Sequence, residues 1–130
     1  MKAIRLIALA ACMAATLDAS AQEQEIRLFS HRGGRMEHDE NTLSAFQASY
    51  DAGYRGFETD IRMTRDGALV ITHDSSLERT TDGTGTVEEK TEAEIRQLAT
   101  KQGNKMMFLD ELLEFLKGKE GLYVEFEMKT

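Results

Sequence analysis

Proline is missing altogether from the 130 residues, so tight turns have to rely on the ten glycines and on Asn and Asp. Cysteine occurs once, as Cys12 in the N-terminal apolar run, and removal of that run leaves neither a disulfide nor a thiol nucleophile. Basic residues are the minority: 16 Lys and Arg against 23 Asp and Glu give a formal net charge of −7. A surface this acidic repels nucleic acid and anionic lipid, because phosphate binding needs clustered Lys and Arg. Repeats and low-complexity tracts are absent as well. The run Leu6 to Leu17 is too short to span a bilayer core of roughly 30 Å as a permanent helix. What remains is a chain that is 41% hydrophobic, enough for a packed core.

The first 21 residues read as a signal peptide. Lys2 and Arg5 supply the positive start, the apolar run follows, and Ala19-Ser20-Ala21 has the small-x-small pattern read by a signal peptidase. Cleavage after Ala21 leaves residues 22–130 as the folded part, exported to the periplasm or beyond. The alternative is a lipoprotein, because Leu9-Ala10-Ala11-Cys12 resembles the box before a lipid-carrying cysteine. Contact with a membrane is expected only on that second route.

Ile26 to Ser30 reads as a short strand ending in His31-Arg32-Gly33-Gly34. Asn41 or Thr42 can cap a helix carrying Leu43, Phe46, Ala48 and Tyr50, which Gly53 stops. Gly56 to Thr64 alternates, with Phe57, Thr59, Ile61 and Met63 on one face and Glu58, Asp60 and Arg62 on the other. Asp66-Gly67 makes a turn into a third extended segment, Ala68 to Thr72, ending at His73-Asp74. Residues 75–105 form an excursion holding a short helix, for which Thr91 and Glu94 have capping-box spacing. Leu109, Leu112, Leu113 and Leu116 make an amphipathic stripe ended by Gly118, and Leu122 to Lys129 alternates again. The order is that of parallel α/β units. Strands of a parallel sheet are normally apolar on both faces, and two here carry paired carboxylates on one of them.

Glu58 and Asp60 lie side by side on one strand face. Burying two ionised carboxylates without a counter-charge is expensive, and a divalent cation with oxygen ligands removes the cost. A lone pair of this kind is more often a solvated strand face, but Glu127 on a second alternating strand makes a hard-metal site plausible. His31 and His73 each end an extended segment, the pattern of a general acid and a general base. His38, in a polar loop, reads as a bystander. Lys129 shares a face with Glu127 and suits a phosphate oxygen or plain solvation, and Arg32 suits a phosphate or a local carboxylate.

These motifs together resemble the glycerophosphodiester phosphodiesterase family. His31-Arg32-Gly33 with Glu40-Asn41-Thr42 is similar to the family's opening signature, and Glu58-Thr59-Asp60-Ile61 to its metal-binding strand. Thr64-Arg65-Asp66-Gly67 through His73-Asp74, Arg79 to Gly85, and Glu127-Met128-Lys129 follow in order. The resemblance implies Ca²⁺ or Mg²⁺ held by Glu58, Asp60 and Glu127, an acid–base pair of His31 and His73, and Arg32 and Lys129 near the phosphate. The implied reaction hydrolyses a small-molecule glycerophosphodiester to glycerol 3-phosphate and an alcohol. A phosphoester-binding module, or a phospholipase-D-like or phosphatidylinositol-cleaving barrel, is the alternative. Two departures stand out. Asp39 takes the place of the family's usual Pro and is expected to loosen that loop and bring an acid near the site. Glu125 replaces a frequent Asn and offers a fourth carboxylate.

The implied fold is the (β/α)₈ barrel, which takes roughly 250 residues. The chain is therefore expected to be the N-terminal portion, about three of eight barrel strands, incomplete and inactive alone. The head group released, the choice of ion and the oligomeric state are not legible in these residues.

Overall fold

The computed structural model describes residues 26–129, so the expected signal peptide, the cleavage at Ala21 and the lipid-box Cys12 lie outside the described residues. Strand β1 is Phe29–His31, helix α1 Leu43–Asp51, β2 Gly56–Met63 and β3 Leu69–Ile71. After a 3₁₀ turn at Val87–Glu89 come α2, Glu92–Ile95, α3, Leu109–Leu116, and β4, Tyr123–Met128. β1 and β4 both run parallel to β2, on its two edges. The expected β-α-β order is thus present twice. β3 turns back antiparallel to β2, pairing Ile61 with Ile71 and Met63 with Leu69.

The alternation of β2 has the expected consequence. Phe57, Thr59 and Ile61 are buried on the helix-bearing face, where Phe57 meets Phe46 edge to face with centroids 5.6 Å apart. Phe46 from α1, Leu112 and Phe115 from α3, Ile71 and Met107 pack into this core. Thr59, the polar member, donates its hydroxyl to Asn41 Oδ1 at 3.1 Å. Gly56 opens β2 because a Cβ there would stand 2.4 Å from the carbonyl oxygen of Leu28, too close for any side chain.

Thr42, not Asn41, caps α1, its hydroxyl accepting from Ala45 N–H. The excursion is better ordered than its sequence suggests. Val70, Leu77, Val87, Ile95, Met106 and Phe108 form a second apolar core beneath it. Thr91 and Glu94 make the expected capping box on α2. The loop carrying Asp39 departs from expectation, since Asp39 is buried and pins the loop instead of loosening it. Its Oδ2 accepts from the Thr100 hydroxyl and, at 2.9 Å, from Asn104 Nδ2. A carboxylate with two side-chain donors thus ties the β1–α1 loop to the excursion.

Candidate active site

The site is assembled at the C-terminal ends of the parallel strands. His31 closes β1, and the chain then turns through Arg32 at φ 53° and Gly33 at φ 75°. A Cβ on Gly33 would lie 2.9 Å from that of Ala45, so the turn rests directly on α1. The Arg32 N–H donates to the Glu58 carbonyl at 2.9 Å and lies 3.1 Å from Glu58 Oε2. His31 Nε2 is 3.5 Å from that same carboxylate oxygen.

Asp60 is completely buried, and its surroundings explain how. Oδ2 accepts from Asn41 Nδ2 at 3.0 Å and faces Arg32 Nε at 3.2 Å. Oδ1 has Lys129 Nζ 3.3 Å away but no partner in hydrogen-bond geometry. Lys129 also holds Glu127 Oε1 at 2.6 Å, and that bond, with Asp60 beside it, raises the ammonium above its ordinary range. Parallel pairing sets Asp60 opposite Glu127 and Glu58 opposite Glu125.

One ligand atom from each of Glu58, Asp60 and Glu127 falls within 4.8 Å of the others. Burial, and then the neighbouring Asp60 charge, push the Glu58 carboxyl above its usual range. Crowded carboxylates and a buried Oδ1 with no hydrogen-bond donor are what a hard divalent cation satisfies, so the donor set fits a hard divalent metal ion. Glu125, exposed on β4, stands outside that group.

The antiparallel course of β3 carries His73 back toward the carboxylates, for the Thr72 N–H donates to the Asp60 carbonyl at 3.0 Å. Arg62 Nε donates to the His73 carbonyl at 2.8 Å and steadies that segment. The His73 ring makes no direct hydrogen bond to the carboxylate cluster among the described residues. Its Nδ1 lies 2.6 Å from Asp74 Oδ1, and Arg79 grips the other Asp74 oxygen. Arg79 also holds Glu40 through two bonds, of 3.0 and 2.7 Å, and Glu40 lies 3.2 Å from Arg32 Nη1.

Six of the seven site residues named from sequence therefore meet around Asp60 and Glu58, and His73 joins them through charged neighbours. Arg32 turns its guanidinium to local carboxylates. Glu40, Asp74 and Arg79 were visible only as members of longer motifs, with no pattern to reveal their partners.

Parallel β-α-β units with acids and histidines at the C-terminal strand ends define the opening portion of a (β/α)₈ barrel. The sequence model of the Glycerophosphoryl diester phosphodiesterase family matches residues 31–130, and the chain belongs to that family. It is 34% identical over 110 residues to a glycerophosphodiester phosphodiesterase of Caldanaerobacter subterraneus subsp. tengcongensis, covering 79% of this chain and 45% of that protein. The corresponding enzyme of Bacillus altitudinis is 30% identical over 111 residues, covering 80% and 45%. The chain thus spans about half the length of the curated relatives it matches. Among solved structures, an Oleispira antarctica phosphodiesterase in complex with the product sn-glycerol-3-phosphate superimposes with a TM-score of 0.74 at 31% identity, covering 80% of this chain and 44% of that one. A glycerophosphodiester phosphodiesterase from Agrobacterium tumefaciens gives 0.71 at 34% identity, covering 78% and 47%.

Proposed function

We propose that this chain supplies the metal and acid–base half of an exported phosphoric diester hydrolase that cleaves glycerophosphodiesters to glycerol 3-phosphate and an alcohol. The observation that carries the reading is the convergence of Glu58, Asp60 and Glu127 within 4.8 Å, with His31 against Glu58. Family membership and the product held by the Oleispira antarctica phosphodiesterase support the substrate class.

Glu58, Asp60 and Glu127 are the ligands for Ca²⁺ or Mg²⁺, which when bound supplies positive charge to the phosphoryl oxygens. Arg32 and Lys129 surround the buried Asp60 with positive charge and are the cations available to the phosphate. His31 and His73 divide the proton work. One ring starts neutral and takes a proton from the attacking water, while the other starts charged and gives a proton to the departing alkoxide. The substrate is a small molecule. Nucleic acid is disfavoured by the net charge of −7. Export rests on the signal-like residues 1–21, with lipidation at Cys12 as the competing route, and N-terminal sequencing of the mature protein decides between them.

The 130-residue chain alone is expected to turn over little substrate. Phe126 and Met128 on β4 stay 41% and 61% exposed, so the strand has an apolar face that only further packing covers. In a protein carrying the remaining barrel strands, His31→Ala and His73→Ala should each lower hydrolysis of glycerophosphocholine by roughly 10²–10⁴-fold, with metal affinity hardly changed. Full activity in both variants would refute the acid–base assignment. Binding without turnover in the unmutated protein would favour the phosphoester-binding alternative.

A further inference from the structure

The guanidinium of Arg79 links two parts of the site through side-chain ion pairs. On one side it grips Asp74, whose other oxygen lies 2.6 Å from His73 Nδ1. On the other it clasps Glu40 through both of its terminal nitrogens, at 3.0 and 2.7 Å. Glu40 in turn faces Arg32, whose Nε lies 3.2 Å from the buried Asp60. Charges alternate along this path from His73 to Asp60, and Arg79 is the only link contributed by the excursion.

We propose that Arg79 is a positioning residue that acts through Asp74 to hold His73 in its Nδ1–H form, and through Glu40 to hold Arg32 against Asp60. Its planar fork matches a carboxylate on each side, which a lysine does not reproduce. The hydrogen bond from Arg79, outweighing partial burial and joined by that to His73, lowers the Asp74 carboxyl to about 2, so it is an acceptor at neutral pH. An ionised Asp74 makes Nδ1 the donor and leaves Nε2 free to accept or give the proton in catalysis. The groups facing the ring and its backbone are Asp74, with Arg79 behind it, and Arg62 on the carbonyl. Free histidine side chains favour the opposite tautomer, so the preference is a direct signature of the clamp.

The catalytic part of this inference rests on His73 being an acid–base group, whereas the tautomer is read without substrate. The test is ¹⁵N chemical shifts of the His73 ring in the 130-residue chain, with His31→Gln and His38→Gln variants assigning the three histidines. The unmutated chain should show the Nδ1–H form at neutral pH. Arg79→Met and Glu40→Gln should move the population toward Nε2–H, and Arg79→Lys should move it part of the way. Arg96→Met removes the ion pairs of Arg96 with Glu92, Asp110 and Glu111, away from the clamp, and should leave it unchanged. In the barrel-complete protein, Arg79→Met should lower kcat by roughly 10–100-fold with little change in KM, the usual loss when an outer partner of a site is removed. An unchanged tautomer in folded Arg79→Lys and Glu40→Gln proteins would overturn the proposal. A changed tautomer with full activity in His73→Ala would instead leave the clamp standing and remove the acid–base role of His73.

Discussion

Asn41 holds a left-handed φ of 59°, a conformation Asn tolerates better than most residues. The distortion turns its side chain between two strand residues, accepting from the Thr59 hydroxyl at 3.1 Å and donating to Asp60 Oδ2 at 3.0 Å. Its backbone N–H meanwhile donates to the Arg32 carbonyl at 2.8 Å. Asn41→Ala should lower stability by about 2–4 kcal/mol, since it strains the backbone and leaves two buried polar groups short of a partner. Urea unfolding with an unchanged slope measures this, and a loss below about 0.5 kcal/mol would contradict it. The sequence showed Asn41 as one of two possible helix caps and as a member of the Glu40-Asn41-Thr42 motif. Capping is a local pattern and was readable at Thr42 beside it, whereas the bonds to Thr59 and Asp60 cross 18 and 19 positions and leave no periodic trace. Asp39 was misread for a related reason. Its identity announces a charge near the loop, but its donors, Thr100 and Asn104, lie 61 and 65 positions away.

Elements were more legible than single partners wherever a period had room to repeat. The two-residue alternation in β2 separated Phe57, Thr59, Ile61 and Met63 from Glu58, Asp60 and Arg62, and burial follows it for the first three but not for Met63, which is 57% exposed at the strand end. The leucine stripe of α3 was also read correctly as a helix, but periodicity could not grade its members. Leu112 is wholly buried, while Leu113, adjacent on the helix, is 50% exposed. Leu112→Ala should therefore cost about 2–5 kcal/mol. Leu113→Ala should stay within about 0.5 kcal/mol. Thermal or denaturant unfolding of the two variants side by side checks the contrast, and equal losses would mean that α3 packs in another orientation. The excursion defeated sequence reading because its pairings are single bridges, Ser76 with Thr86 and Thr81 with Thr100, too short for any alternation to show. Its capping box was readable, being a contact between neighbours only three positions apart.

At the scale of the whole molecule the fold class came from motif order, since composition alone says only that a core can form. The carboxylate strands were found from the sequence because they break the rule that parallel strands are apolar on both faces. Register then does the rest: Asp60 sits opposite Glu127, and Lys129 closes over both. Among the described residues no helix is long and apolar enough to cross a membrane. The chain covers 45% of the length of its first two curated relatives.

Glu58, Asp60 and Glu127 are proposed to form one site for a hard divalent cation. Isothermal titration of Ca²⁺ and Mg²⁺ into a protein carrying the remaining barrel strands tests it directly. One equivalent should bind to the unmutated protein, and Glu58→Gln combined with Asp60→Asn should abolish that binding while the protein stays folded. Unchanged binding in the double variant would contradict the site and would leave the three carboxylates as partners of neighbouring protein groups.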